Sequence, residues 1–182
     1  GKEYSIECVK QLDESIMNKL QGAHHERVWF TDLGSGISTQ YPEIRKIITD
    51  HHECPAGSDA SFHFNPHLFG RDGSYELSGA GATYFVSRAL SEKNKDLSVL
   101  AIVGAVGDLQ DRRFCELRGM NQEIVQDGKE AGVLQTIKDI RYFGKETRPL
   151  AKLLQYATDP LIPGVSGRED TSIAFLQELQ IE

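Results

Sequence analysis

Cysteine, tryptophan and long apolar runs are scarce in this sequence. Its 182 residues include three cysteines and one tryptophan, and no uninterrupted apolar run approaches the roughly 18 residues that a membrane span requires. The first residues, Gly-Lys-Glu-Tyr, contain no apolar stretch that resembles a signal peptide. Cys8, Cys54 and Cys115 are odd in number, far apart and without a Cys-x-x-Cys pair, which argues against a disulfide framework and a thiolate zinc ribbon. We therefore expect a cytoplasmic protein with reduced, buried cysteines and no membrane partner.

Positive charge is also in short supply. Lysine and arginine number 20 against 27 aspartates and glutamates, so the formal net charge is −7. Coating of nucleic acid or of an anionic membrane needs clustered cations, so any nucleic-acid site has to be local. The composition, with 39% hydrophobic and 26% charged residues, is that of a globular protein with one domain or one domain and an appendage.

Three short β-prone runs predict a parallel sheet. They cover residues 27–31, 44–49 and 61–65. The stretch between the first two runs is about long enough for a short crossover, which favours parallel pairing. Parallel strands in turn imply helices on both faces of the sheet.

Apolar residues that recur every three or four positions predict the helices. The first of these patterns predicts a helix over residues 4–21. The apolar run 99–106 would also suit a buried strand, but its spacing favours a helix. Further helical patterns lie at 75–90, 120–127, 150–157 and 172–179. The expected fold class is α/β, with a parallel sheet flanked by helices over residues 1–118 and a mainly helical segment over residues 119–182.

Acidic residues and histidines stand where three apolar elements end. Asp32 follows the first β-prone run, Asp50-His51-His52 follows the second, and Asp108 follows the run 99–106. Ligand-binding groups of open parallel sheets collect at the carboxyl ends of the strands. A mixture of carboxylate and imidazole suits Mn²⁺, Zn²⁺ or Fe²⁺. The alternative is that each Asp is a turn or cap residue and that the two histidines are surface residues.

These motifs carry a resemblance to a known family. Phe30-Thr-Asp-Leu-Gly34, Asp50-His51-His52 and Gly104-Ala-Val-Gly-Asp108 resemble motifs of the DHH superfamily of phosphoesterases, most closely those of the archaeal RecJ-like single-strand exonucleases. Segments 77–84, 119–123 and 159–164 are similar to the same archaeal branch, so the resemblance covers nearly the whole chain.

The resemblance implies a role for each motif residue. Asp32 would bridge two metal ions, while His51 and Asp108 would each bind one. His52 would face the substrate phosphate, and Asp50 would hold the ring nitrogen of His51 that does not bind metal. The implied cofactor is Mn²⁺, two ions in the complete enzyme, with Mg²⁺ or Zn²⁺ as alternatives. A carboxylate bridge suits hydrolysis by two metal ions.

The resemblance also implies a function and its alternatives. The expected activity is hydrolysis of single-stranded DNA or RNA by a manganese-dependent exonuclease. One alternative is a non-catalytic replication scaffold that binds the GINS complex and the replicative helicase, and another is a phosphodiesterase for nanoRNA or cyclic dinucleotides. The family's first aspartate motif and its C-terminal DHHA1 domain are not found in this sequence. We therefore expect an internal portion of a longer protein, with weak or no activity by itself.

Two groups of cations are candidates for binding nucleic acid. Arg112 and Arg113 follow Asp108 and would contact a scissile phosphate. The stretch 138–152 interleaves cations with aromatic residues, which suits a groove that follows a backbone. Its candidate residues are Arg141, Lys145 and Arg148. The favoured alternative for this stretch is a solvated face of mixed charge with Phe143 in the core.

Overall fold

The computed structural model describes residues 3–55, 57–58, 60–139, 142 and 144–181. The chain forms two compact units, Gly1–Gln135 and Thr136–Glu182. This division falls after the expected boundary at residue 118, because the helix that follows Gly119 packs on helices of the first unit.

A three-stranded parallel sheet lies in the first unit. Its strands are β1 (Val28–Thr31), β2 (Lys46–Thr49) and β3 (Phe62–Phe64), in the order β1-β2-β3. Phe30 is the register partner of Ile48, and Ile48 is the partner of His63. The predicted α/β class and the predicted parallel pairing are confirmed.

Six α-helices occur among the described residues. The helix predicted at 99–106 is confirmed, as α3. Short 3₁₀ segments cover Ser35–Ile37, Pro66–Phe69 and Glu92–Leu97. The α-helices are α1 (Glu14–Gly22), α2 (Gly79–Leu90), α3 (Ser98–Gly107), α4 (Met120–Glu130), α5 (Leu150–Gln155) and α6 (Glu169–Glu178).

The first helix is shorter than its sequence pattern predicts. The expected helix over 4–21 is wrong for residues 4–13, which carry no helix. Asp13 is the N-cap of α1, and its side chain accepts a hydrogen bond from the amide of Ile16 at 2.9 Å. A capping carboxylate fixes the start of a helix at its own position. Upstream, Tyr4 and Ile6 are exposed, so these two residues give a longer helix no buried face.

Different helices cover the two faces of the sheet. Phe30 and Ile48 point to one face, where they pack with Met17 of α1. Thr49 points to the other face, and its hydroxyl is 2.9 Å from the hydroxyl of Thr83 in α2. The sheet therefore holds the start of α2 close to the ends of its strands.

Small residues let α2 and α3 approach each other. A Cβ added at Gly104 would lie 2.4 Å from the Cβ of Ala80, closer than two carbons can approach. The helices bury a core that includes Leu77, Ala82 and Ile124. The small residues at 79–82 serve close packing here.

The second unit has a core of its own. Leu154 of α5 and Leu176 of α6 are buried together with Val165 from the connecting loop. The hydroxyl of Ser172 donates to the carbonyl of Val165 at 2.9 Å, which ties α6 to that loop.

The cysteines differ from the expectation. Cys8 and Cys115 are exposed, Cys54 is half-buried, and all three are free thiols. The prediction of buried cysteines is wrong because Cys8 lies in the irregular segment before α1 and Cys115 lies in a turn. No helix among the described residues has the length and apolarity to cross a membrane.

Candidate metal site

Two of the predicted clusters share one edge of the sheet. Asp32 directly follows β1, and Asp50 directly follows β2, so both stand at the carboxyl ends of neighbouring parallel strands. The amide of Asp32 donates to the carbonyl of Thr49 at 2.8 Å, which extends the ladder by one bond. Asp32 has a φ of 62°, in the left-handed region. Backbone strain of this kind is concentrated at functional sites.

The first turn of α2 lies against the carboxylate of Asp32. A Cβ added at Gly79 would be 2.1 Å from Oδ1 of Asp32, so only glycine leaves room for this side chain. The N-terminus of a helix carries partial positive charge that favours a carboxylate. This contact therefore fixes the place of Asp32 at low electrostatic cost.

His51 is the centre of the site. Its Nε2 is 3.2 Å from Oδ1 of Asp32, and its Nδ1 is 3.6 Å from Oδ2 of Asp108. Nδ1 also lies 2.8 Å from the carbonyl oxygen of Gly73. The imidazole is buried, whereas the two carboxylates are partly exposed. The structure thus brings together the three residues that the sequence nominates as metal ligands.

The surroundings of His51 hold its ring in a negative environment. Burial lowers the pKa of His51, but the contacts with Asp32 and Gly73 and the charges of Asp108 and Asp32 outweigh it and raise the pKa to about 9. In its protonated, positively charged form, this imidazole attracts both carboxylates.

Asp50 organises the loop that follows β2. Its Oδ1 accepts from the amides of His51 (2.8 Å) and His52 (3.3 Å) and from Nδ1 of His52 (2.7 Å). Its Oδ2 accepts from the amide of Ser35 at 2.9 Å. Burial raises the pKa of Asp50, but these hydrogen bonds, led by that of His52, leave the pKa below its usual value. The expectation that Asp50 holds the ring of His51 is therefore wrong, because Gly73 takes that place and Asp50 holds the ring of His52.

The candidate ligands include one residue more than the sequence nominated. Asp32, His51 and His52 each offer an atom within 4.8 Å of the other two, an arrangement that could hold a metal ion. Asp108 approaches His51 on the Nδ1 side instead. Carboxylate and imidazole together are donors that first-row transition metals accept. The assignment of individual ligands stays a prediction.

Two further residues of the site, Gly73 and Gln110, are not predicted by the sequence pattern. Gly73 supplies the carbonyl that holds His51, and a Cβ at Gly73 would lie 1.9 Å from the carbonyl oxygen of His51. The amide of Gln110 donates to the same carbonyl and to Asp108. The Asp72-Gly73 dipeptide is a turn signal, but nothing in the sequence shows that this turn meets His51.

A cleft opens beside the two histidines. Its volume is about 570 Å³, large enough for a nucleotide-sized ligand. His51 and His52 form one wall. The other lining residues are Glu53, His67, Gly70, Arg71, Asp72 and Ser74.

The predicted nucleic-acid residues fall in both units. In the first, Arg112 is exposed, and the guanidinium of Arg113 lies 5.1 Å from the ring centre of Tyr75. In the second, Lys145 pairs with Asp139, and Arg148 lies 5.4 Å from the ring centre of Tyr156.

These contacts favour the interpretation of 138–152 as a face of mixed charge, since Lys145 already has an acidic partner. Arg141 and Phe143 lie outside the described residues. Their expected roles stay predictions.

Comparison with known proteins gives two similarities. Residues 142–182 match the model of the DHH-CID domain. The whole chain is 34% identical, over 195 aligned residues, to an uncharacterized protein of Methanocaldococcus jannaschii. The chain spans 43% of the length of that relative.

Proposed function

We propose that the chain belongs to the DHH superfamily and is part of a metal-dependent phosphodiesterase that hydrolyses single-stranded DNA or RNA from an end. The match of residues 142–182 to the DHH-CID domain supports this proposal. The observation that carries this proposal is the convergence of Asp32 and Asp108 on the imidazole of His51. Such a group of side chains at the carboxyl edge of a parallel sheet is suited to binding a cation and a phosphate.

The donor set fits a transition-metal ion. Asp32 and His51 offer a carboxylate oxygen and an imidazole nitrogen that face each other, and His52 is within reach of both. Asp108 offers a second carboxylate on the Nδ1 side of the His51 ring, apart from that group. These donors suit Mn²⁺ and Zn²⁺ better than a Ca²⁺ site built only from oxygen ligands. We propose Mn²⁺ as the cofactor, two ions in the complete site, with Mg²⁺ or Zn²⁺ as substitutes.

The charge of the site supports this cofactor. Two carboxylates converge on an imidazole whose pKa they help to raise to about 9. A divalent cation held by Asp32 and Nε2 of His51 would satisfy that carboxylate and take the place of the proton on Nε2. Metal ions bound in such sites activate water and neutralise the charge of a phosphoryl group under attack.

His52 is the residue that we propose contacts the substrate. Its Nδ1 is 2.7 Å from Oδ1 of Asp50, and because a carboxylate only accepts, Nδ1 carries a proton. The ring is 61% exposed and lines the cleft. Asp50 thereby orients the His52 ring with its Nε2 turned away from Asp50, and the imidazolium form of this ring would donate from Nε2 to a phosphate oxygen.

A second candidate function rests on the second unit. The family match lies within that unit, which has its own core of Leu154, Val165 and Leu176. A separately packed unit can serve for binding a partner, so a scaffold role with GINS and the replicative helicase is the alternative. In a pull-down with the full chain as bait, capture of these partners by the wild type and its loss in Leu176→Ala would favour the scaffold role.

Metal titration tests the main proposal. We expect calorimetry to show binding of Mn²⁺ by the chain, weakened more than tenfold in Asp32→Asn, His51→Ala and Asp108→Asn. His25→Ala and Asp96→Asn replace exposed residues of the same types and should bind as the wild type does. The proposal fails if the wild type binds no Mn²⁺ or if all five variants bind equally.

Hydrolysis of a labelled single-stranded oligonucleotide gives the second measurement. The described residues gather one group of three ligands, enough for one ion, so cleavage by this chain should be weak. Fast cleavage that needs Mn²⁺ and is lost in Asp108→Ala would overturn this expectation of weak activity and would strengthen the assignment of the site.

A further inference from the structure

The side chain of Gln110 is fully buried between two parts of the candidate site. Its Nε2 donates to the carbonyl of Gly73 at 2.8 Å and to Oδ2 of Asp108 at 2.9 Å. Its Oε1 accepts from Nδ2 of Asn121 at 2.7 Å. All polar atoms of this carboxamide therefore have partners.

These partners allow only one orientation of the amide. A carbonyl and a carboxylate can only accept, so both need the two N–H groups of Gln110. Asn121 donates, so it needs the oxygen. A flipped amide would set its oxygen against two acceptors and leave buried groups unpaired, which costs far more than one hydrogen bond contributes.

The carbonyl of Gly73 links Gln110 to His51. It accepts from Nε2 of Gln110 and also from Nδ1 of His51, each at 2.8 Å. Because the carbonyl cannot donate, Nδ1 of His51 carries the proton. In the neutral imidazole the free lone pair is then on Nε2, the nitrogen that faces Asp32.

Asn121 anchors the network in a helix. Asn121 lies in the first turn of α4, where its backbone N–H donates to the carbonyl of Glu76 at 3.0 Å. The preceding Gly119 has a φ of 58°, and a Cβ there would lie 2.6 Å from the Cβ of Glu76. The segment Gly119-Met-Asn121 is thus shaped to deliver Asn121 to Gln110.

We propose that Gln110 is a positioning residue that fixes Asp108 directly, and His51 through the Gly73 carbonyl, in the arrangement that binds a metal ion. This inference rests on the proposed function. Groups that hold metal ligands commonly change metal affinity 10- to 100-fold when they are removed. A core residue without this role would change stability alone.

Gln110→Met tests the proposal because methionine fills a similar volume without hydrogen-bonding groups. We expect the affinity for Mn²⁺, measured by calorimetry on the full chain, to fall 10- to 100-fold. In an Asp108→Asn background the same substitution should have a clearly smaller effect, since part of its action passes through Asp108. The control is Gln122→Met, which replaces an exposed glutamine and should leave the affinity for Mn²⁺ unchanged.

Two further measurements keep the result decisive. If Gln110→Met does not fold, as judged by circular dichroism, Asn121→Ala replaces it and should weaken Mn²⁺ binding in the same direction. ¹⁵N NMR of His51 in the Zn²⁺-loaded wild type should show a proton on Nδ1 and none on Nε2. A proton on Nε2 instead would overturn the inference.

The outcomes separate this inference from the proposed function. Mn²⁺ binding by the wild type that Gln110→Met or Asn121→Ala leaves unchanged would refute the role of Gln110 and leave the proposed function standing. Failure of the wild type itself to bind Mn²⁺ would refute the proposed function and, with it, this inference.

Discussion

Gly79→Ala is the substitution that most directly probes the place of Asp32. The added Cβ would lie 2.1 Å from Oδ1 and 2.7 Å from the Cβ of Asp32. Ordinary contact begins near 3.4 Å, so Oδ1 has to move by about 1.3 Å and the Cβ by about 0.7 Å if Asp32 alone yields. The distance of 3.2 Å between Oδ1 of Asp32 and Nε2 of His51 would then exceed that of a hydrogen bond.

The effect on function should be larger than the effect on folding. Overpacking costs about 1–3 kcal/mol, and replacing glycine by alanine in a helix returns up to about 1 kcal/mol. The net loss of stability is therefore about 3 kcal/mol or less. A ligand displaced by more than about 0.5 Å no longer supports a metal site, so we expect Mn²⁺ affinity to fall more than tenfold.

The pKa of His51 gives an independent measure of the same displacement. In the metal-free chain it should fall below about 9, because burial lowers this pKa and the contact with Asp32 is the largest of the effects that raise it. NMR titration of the imidazole measures this shift. Gly22→Ala, where an added Cβ meets nothing within 4 Å, is the matched control. The reasoning is refuted if Gly79→Ala keeps both the pKa near 9 and the wild-type affinity for Mn²⁺.

The sequence predicts those parts of the site that depend on local pattern. Asp32 and Asp50 each follow a β-prone run, and parallel strands bring their carboxyl ends to one edge. The positions of Asp32 and His51 in the sequence are therefore enough to predict that they lie close together. The spacing of the run 99–106 likewise predicts α3, so it predicts that Asp108 stands at a helix end.

Contacts between distant segments are beyond such patterns. Gly73 contacts His51, and Gln110 contacts the same Gly73 carbonyl, only because the loop before α2 and the turn after α3 pack against each other. The partner of Asp50 depends on a finer point. Its carboxylate turns back onto the amides of the two residues that follow it, as aspartates in turns commonly do. That geometry reaches the ring of His52 and leaves the ring of His51 to the Gly73 carbonyl.

Three further predictions follow from the same contacts. In the metal-free chain, the stability that comes from the raised pKa of His51 is fully present below pH 6.5 and is lost as the pH rises to about 9. This shift of about 2.5 pH units corresponds to about 3 kcal/mol of unfolding free energy. Urea unfolding should therefore show this loss in the wild type and not in His51→Gln. Asp50→Asn should cost about 3 kcal/mol or more, because a buried carboxylate that accepts four hydrogen bonds would present an amide N–H to donors; a loss below 1 kcal/mol in the same assay would contradict this. Leu176→Ala should cost about 2–5 kcal/mol in the second unit, and a unit of this size has little stability to lose. Hydrogen exchange should then show residues 136–182 unprotected while Mn²⁺ binding in the first unit persists, because all the candidate ligands lie before residue 136. If Leu176→Ala loses both the exchange protection of residues 136–182 and Mn²⁺ binding, the metal site depends on the second unit.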